Sequence, residues 1–165
     1  MADEIHVDNV SMSSDVQPYA CTKMITNALD EKGWKYNMRL HSENSPRDRI
    51  CVSFNADNIP VVRVLIVCDE SGRRVGLYVY DIIKLPQAEP AELYKLIQTI
   101  HFNFIFARWL FDEYDKTLHA EWYTHMSDDI ESGRIVATAV SRLANLVDEA
   151  YPLIMKTCAE LNLFK

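Results

Sequence analysis

Glycine is scarce, with four in 165 residues, and no P-loop, G-x-G-x-x-G, G-x-S-x-G or H-E-x-x-H pattern occurs. Loops that cradle phosphate need glycine so that the backbone can approach closely, so nucleotide chemistry of the usual kinds is not expected. Cys21, Cys51, Cys68 and Cys158 stand far apart with no C-x-x-C spacing. Neither a zinc knuckle nor a dithiol motif can be assembled locally, and reduced, partly buried thiols are expected. Basic residues are outnumbered 17 to 24, giving a net charge of −7. An acidic surface repels phosphate backbones, so nucleic acid is not expected as a partner unless a local patch escapes the average. No apolar run approaches the ~20 residues of a membrane helix. Residues 1–14 lack a positively charged start followed by an apolar stretch, so no secretory signal is read. A cytoplasmic protein without a membrane partner is the expectation.

Apolar residues make up 48% of the chain and charged ones 25%, the balance of a packed globular protein. The length suits one domain, residues 15–165, after a polar, flexible tail over residues 1–14. Cys21, Met24, Ile25, Ala28 and Leu29 fall at helical spacing, with Asp15 and Pro18 ahead and Gly33 behind. This predicts a helix over residues 16–32. Trp34, Tyr36, Met38 and Leu40 alternate with polar residues as a short exposed strand or extended segment. Residues 49–55 alternate cleanly, with Ile50, Val52 and Phe54 on the buried side. Residues 61–68 are apolar on both faces apart from Arg63, a pattern that demands cover on both sides. Residues 74–80 form the next strand of an antiparallel meander.

Pro90 opens a second helix, whose Leu93, Leu96, Ile97 and Ile100 make a stripe at i, i+3, i+4 and i+7. Residues 104–111 read as another doubly apolar strand, paired across a charged turn with residues 117–126. A long helix follows, carrying Val136, Val140, Leu143, Val147, Ala150 and Ile154 on one face, and Pro152 should kink or restart it. The fold class is therefore α+β: an antiparallel sheet of about five strands, in the order helix, three strands, helix, two strands, long helix, with the helices mainly on one side.

Candidate chemistry is thin. His119, Glu121, Tyr123 and His125 share one side of a strand. A strand rises ~3.3 Å per residue, which separates the two histidines by roughly 20 Å and prevents them from holding one ion. The run from Asp112 to Asp115 lacks the pattern and the glycine of a calcium loop. Asp128 and Asp129 suit helix capping. No catalytic, cofactor-binding or metal-binding residue is assigned, and no enzyme is expected.

The order of elements resembles the YbjN family and, through shared fold, the chaperones of type III secretion systems. The resemblance covers nearly all of residues 17–161. Its most telling stretch is LYKLIQTIHFNFIFARWLFDEYDKTLHAEW, residues 93–122, followed by a long helix that passes Asp148-Glu149-Ala150-Tyr151-Pro152. In that family a helix ends near an asparagine, here Asn103, before a hairpin and a closing helix. The chain departs from the pattern at Thr99 and His101, one of which stands where members often have a second asparagine, and in its glycine-free hairpin turn. The resemblance implies non-enzymatic regulation or chaperone-like binding of a polypeptide by a small acidic homodimer.

The residues themselves allow the same reading, because three helices cover one face of a sheet well and leave the second face of the doubly apolar strands to the long helix, to the N-terminal segment or to a partner. A homodimer that holds a peptide or protein is expected, with Trp34, Tyr78, Tyr80 and Trp109 as partner-facing aromatics. The alternative is a small-molecule-sensing regulatory domain with an apolar pocket between helix and sheet.

Overall fold

A computed structural model describes residues 16–164; the tail expected over residues 1–14 lies outside them. Helix α1 (Ala20–Glu31) begins at Ala20 and not at residue 16, because Tyr19, following Pro18, is extended with φ −58° and ψ 157°. No side chain of its own neighbourhood caps it. The cap comes from a strand: Asp48 Oδ2 accepts the Tyr19 backbone N–H at 2.9 Å and the Thr22 hydroxyl at 2.7 Å. Asp48 Oδ1 accepts the backbone N–H and the ring Nδ1 of His41, each at 2.7 Å. At the other end Gly33 takes φ +67°, which lets the Trp34 N–H return to the Leu29 carbonyl at 3.0 Å.

Strands β1 (Tyr36–Arg39), β2 (Asp48–Asn55), β3 (Val61–Cys68) and β4 (Arg74–Lys84) form an antiparallel meander. The extended segment after α1 thus counts as a sixth strand beside the expected five. Helix α2 (Pro90–Asn103) follows, with Glu92 accepting the Glu89 backbone N–H at 3.5 Å. Then come β5 (Arg108–Asp112) and β6 (Thr117–His125), and the sheet order is β1-β2-β3-β4-β6-β5.

Two expectations about the apolar strands are corrected. Residues 104–107 are not strand, because α2 runs on to Asn103 and its last turn is closed by the Phe104 N–H on the Ile100 carbonyl at 2.8 Å. The chain then uses the next residues to reverse, leaving Ile105 and Phe106 exposed. In β3, Val62, Val64, Ile66 and Cys68 are buried, but Val61 is exposed and Leu65 and Val67 only half-buried. Helix α3 (Ile130–Glu160) lies on the same face as α1, so no described helix covers the other. The core is one layer, between the sheet's inner side chains and α3 residues such as Val136, Val140, Leu143, Val147 and Ile154. No described helix is long and apolar enough to cross a membrane.

Pro152 neither stops nor restarts α3, which continues to Glu160. A proline at 152 leaves the carbonyl of Asp148 without its helical donor. Asn58 Nδ2 supplies one at 3.2 Å, and the Asp148 carboxylate accepts the backbone N–H groups of Asp57, Asn58 and Ile59 at 3.1, 2.8 and 3.0 Å. The β2–β3 turn is pinned to the helix at the point where the helix is defective. Asp129 caps α3 by accepting the Ser132 N–H at 2.9 Å, as its position predicts. In the glycine-free β5–β6 turn Lys116 itself takes φ +59°, the conformation usually left to glycine.

Helix α3 crosses α1 at Gly133, where a Cβ would stand 2.3 Å from the Met24 carbonyl oxygen. Gly133→Ala is therefore expected to force the helices apart and cost about 1–3 kcal/mol, read as a lowered urea midpoint. Asp48 is fully buried. Burial alone would raise its carboxyl, but the donors from Tyr19, Thr22 and His41 outweigh it and hold it below the ordinary carboxylate range. A lowered folded value contributes stability that is present above the unfolded value of about 4 and is lost as pH falls through the folded value. Asp48→Ala should cost about 3 kcal/mol near neutrality, because the buried donors lose their acceptor. It should also flatten the acid limb of a stability-against-pH curve; an unchanged limb would remove Asp48 from that role.

Candidate binding surface

Register places the outward side chains in rows across the sheet. One row runs Asn37, Cys51, Leu65, Tyr78, Glu121, Arg108, and the next runs Arg39, Arg49, Val67, Gly76, Tyr123. Arg63 lies opposite Ser53, and Arg74 opposite His125. Gly76 is needed here, since a Cβ would come within 2.6 Å of the Tyr78 ring that lies over it. Tyr78 stacks on Tyr80 with centroids 5.5 Å apart, and its hydroxyl donates to that of Tyr123 at 3.0 Å. Partial burial and the Tyr123 hydroxyl push the Tyr78 phenol above the usual tyrosine range, so it stays a neutral donor. Tyr80 meets His119 edge-on at 4.9 Å, and the Arg74 guanidinium sits 5.5 Å from the Tyr123 ring centre.

The result is an aromatic platform set among Arg39, Arg49, Arg63, Arg74 and Arg108. Glu121 lies in the same row as Tyr78, with an oxygen 2.9 Å from Arg108 Nη2, and Asp69 and Asp81 stand at the margins of the platform. A chain of net charge −7 thus presents a locally basic face. Tyr80 and Tyr123 keep 45% and 43% of their surface in solvent, enough to meet a ligand without rearrangement.

The four aromatics expected to face a partner divide. Tyr78 and Tyr80 lie together on the open face. Trp34 packs edge-on against Phe54 at 5.1 Å on the helix side, with the Lys32 ammonium 5.3 Å from its ring centre. Trp109 is a correction: it is fully buried, its ring Nε1 donating to the Phe104 carbonyl at 3.2 Å and its backbone N–H to His101 Nε2 at 3.1 Å. The chain reversal at residues 104–107 makes this possible, turning Trp109 into the core.

A second apolar surface lies at the corner that this reversal creates. Phe106 stacks on Trp122 with centroids 6.5 Å apart, Ile105 borders the same hollow, and Ile135 of α3 lies on the other side of Trp122. Ile105, Phe106 and Ile135 are all more than half exposed. This corner does not stand out in the sequence, because a strand reading of residues 104–111 buries half of it; Tyr123 does, through the polar alternation it shares with His119, Glu121 and His125.

The clefts are shallow and open. One, of about 340 Å³, lies where β4 leaves β3, between Val61, Arg63 and Leu65 on one side and Tyr80, Asp81 and Ile82 on the other. The parting has a local cause: β4 pairs with β3 only from Val75 to Tyr78, and a bulge between Val79 and Ile83 with Asp81 at φ +55° turns it toward β6.

The polar side of β6 does not converge into a reactive site. His119 is buried against Thr117 and Tyr80, Glu121 faces Arg108, and His125 is exposed beside Arg74. Asp112 accepts the backbone N–H groups of Tyr114 and Asp115 at 2.7 and 3.1 Å, which lowers its carboxyl and commits it to its own turn. Among the described residues no three His, Cys, Asp or Glu side chains are placed to hold a metal ion. No family model, curated protein or solved structure matches this chain.

The division of aromatics has a measurable consequence. Trp109→Ala should cost about 3–5 kcal/mol through the cavity it leaves, whereas Tyr80→Ser should change stability by under about 1 kcal/mol. Urea unfolding of the two variants checks the contrast, and equal losses would mean that the platform is part of the core.

Proposed function

We propose that the chain is a non-enzymatic protein-binding domain, chaperone-like or regulatory, that works as a homodimer and holds a segment of a partner polypeptide on its open sheet face. The observation that carries this reading is the one-sided helical layer: six strands, helices on one face, and on the other half-exposed tyrosines and aliphatics ringed by arginines. Stacked tyrosines offer large, rigid contact area at low entropic cost, and arginines select carboxylates. The partner segment is therefore aliphatic and acidic. The corner of Ile105, Phe106, Trp122 and Ile135 suits self-association, since exposed apolar surface of this kind on a small domain marks an interaction site. The resemblance to the YbjN family and to secretion chaperones agrees with such a role, as does a cytoplasmic setting.

A second reading, small-molecule sensing, is favoured by the 340 Å³ cleft between β3 and β4. Its open mouth and its charged Arg63 and Asp81 make it a poorer apolar receptor than an enclosed pocket.

Light scattering behind a sizing column at tens of micromolar should give a dimer, and Phe106→Asp should give a monomer; a strict wild-type monomer overturns the dimer. A fluorescent 15-residue peptide of alternating aliphatic and acidic residues should bind and weaken roughly tenfold in Tyr80→Ser/Tyr123→Ser, and similarly in Arg49→Ala. Binding that ignores all three substitutions, or preference for a single-stranded oligonucleotide over the peptide, would sink the reading of the face. A small apolar probe that binds and is lost only on Leu65→Arg would favour the sensor instead.

A further inference from the structure

The sheet has a strand edge in its interior as well as at its two sides. The β3–β4 ladder ends at Leu65 with Tyr78. Continued in the same register it would set Arg63 against Tyr80 and Val61 against Ile82. The bulge between Val79 and Ile83 prevents this, because it turns β4 toward β6 and opens the cleft of about 340 Å³ between the two strands.

Which backbone groups face the cleft follows from alternation. The Met126 N–H donates to the Arg73 carbonyl at 3.0 Å, so Val75, Leu77 and Val79, at every second position after Arg73, turn their N–H and C=O toward β6. Gly76 and Tyr78, between them, turn theirs toward β3 and meet Val67 and Leu65. Along β3 the same alternation carries on to Arg63 and Val61, while Val62 and Val64 turn toward β2 and pair with Phe54 and Val52. The N–H and C=O of Val61 and of Arg63 therefore face the cleft, and neither residue has a partner in the β3–β4 ladder.

We propose that the cleft is a strand-acceptor site, in which an extended segment of a partner polypeptide takes the place that β4 vacates and pairs antiparallel with Val61 and Arg63. This rests on the reading of the open face as a polypeptide receptor and says how the polypeptide is held. Donors and acceptors repeated at every second residue are the complement of an extended peptide backbone.

The side chains of the segment are specified as well. Val61 and Arg63 point to the open face, so the partner residues directly opposite them point there too. The two charged residues that line the cleft, Arg63 and Asp81, make no ion pair with each other or with any other described residue. Arg63 is exposed and accepts an acidic residue beside it. The partner residue between the two outward ones points inward, where Val62, Val79 and Val147 line the cleft, and is aliphatic. The occupant is a strand in which acidic and aliphatic residues alternate.

Backbone methylation separates strand pairing from contact through side chains alone. The probe is the fluorescent 15-residue peptide of alternating aliphatic and acidic residues, bound to the full wild-type chain. N-methylation of its acidic residues removes the donors that face β3 and should weaken binding roughly tenfold; N-methylation of its aliphatic residues leaves those donors and should cost under about threefold. Amide exchange followed by NMR should show Val61 and Arg63 protected by the peptide, with Val62 and Val64, already bonded to β2, unchanged. Val61→Pro removes one cleft-facing donor at the first position of β3, where proline spares the β2 ladder, and should weaken binding roughly fivefold. Peptide binding that depends on Arg49 but responds equally to both methylation patterns, or protects the outer edge of β1 in place of Val61 and Arg63, overturns the acceptor site and leaves the open face as the receptor. Absence of any peptide binding overturns both. Protection of Val61 and Arg63 that rises with protein concentration alone assigns the cleft to a second copy of the chain and overturns the proposal.

Discussion

One buried carboxylate organises the start of this fold. Asp48 opens β2, and its two oxygens collect donors from the entry to α1, from Thr22 inside that helix and from His41 on the loop before the strand. A helix without its own cap and a loop without regular structure are thereby fixed to the same residue. Charge-assisted hydrogen bonds of this kind are strong enough to offset the burial of the carboxylate. The position of α1 then determines the rest of the helical layer, because α3 can approach only where Gly133 admits the α1 backbone, and the bidentate Glu31–Arg134 contact lies one residue further along α3.

The same economy recurs at Asp148, where a proline that frees a helix carbonyl is answered by Asn58. In both places a local irregularity is tied to a distant element and is not left to solvent. These long-range ties connect segments that have little regular structure of their own, and they explain why a glycine-poor chain holds its turns closed.

Much of this architecture is legible in the sequence, for identifiable reasons. Helix α2 announces itself through Pro90 and the stripe of Leu93, Leu96, Ile97 and Ile100, and β2 through the alternation of Ile50, Val52 and Phe54. Residues 104–107 mislead because an apolar run fits a buried strand and an exposed corner equally well. Trp109 shares that ambiguity. The outer face of β3 misleads differently: Leu65 and Val67 look like core, yet cover on both sides is a property of the whole assembly of elements and not of one strand. The charge of the open face is invisible to composition, since the arginines that share it come from five strands and meet only through register. Tyr78 and Tyr80 were legible as a pair, because two aromatics at i and i+2 of a strand must share a side.

The parting of β4 from β3 gives the sheet an uneven mechanical character. β2 and β3 are joined along eight residue pairs, and β4 and β6 along another eight, but β3 and β4 along only four, from Leu65 with Tyr78 to Cys68 with Val75. In the interior of the sheet this is the shortest ladder, equalled only by the four pairs that hold edge strand β1 to β2. The interior therefore divides into two leaflets built on the long β2-β3 and β4-β6 ladders and joined by one short seam, with α3 lying against both. Tyr78 sits on that seam, so any flexing of one leaflet against the other is felt first at the centre of the aromatic platform.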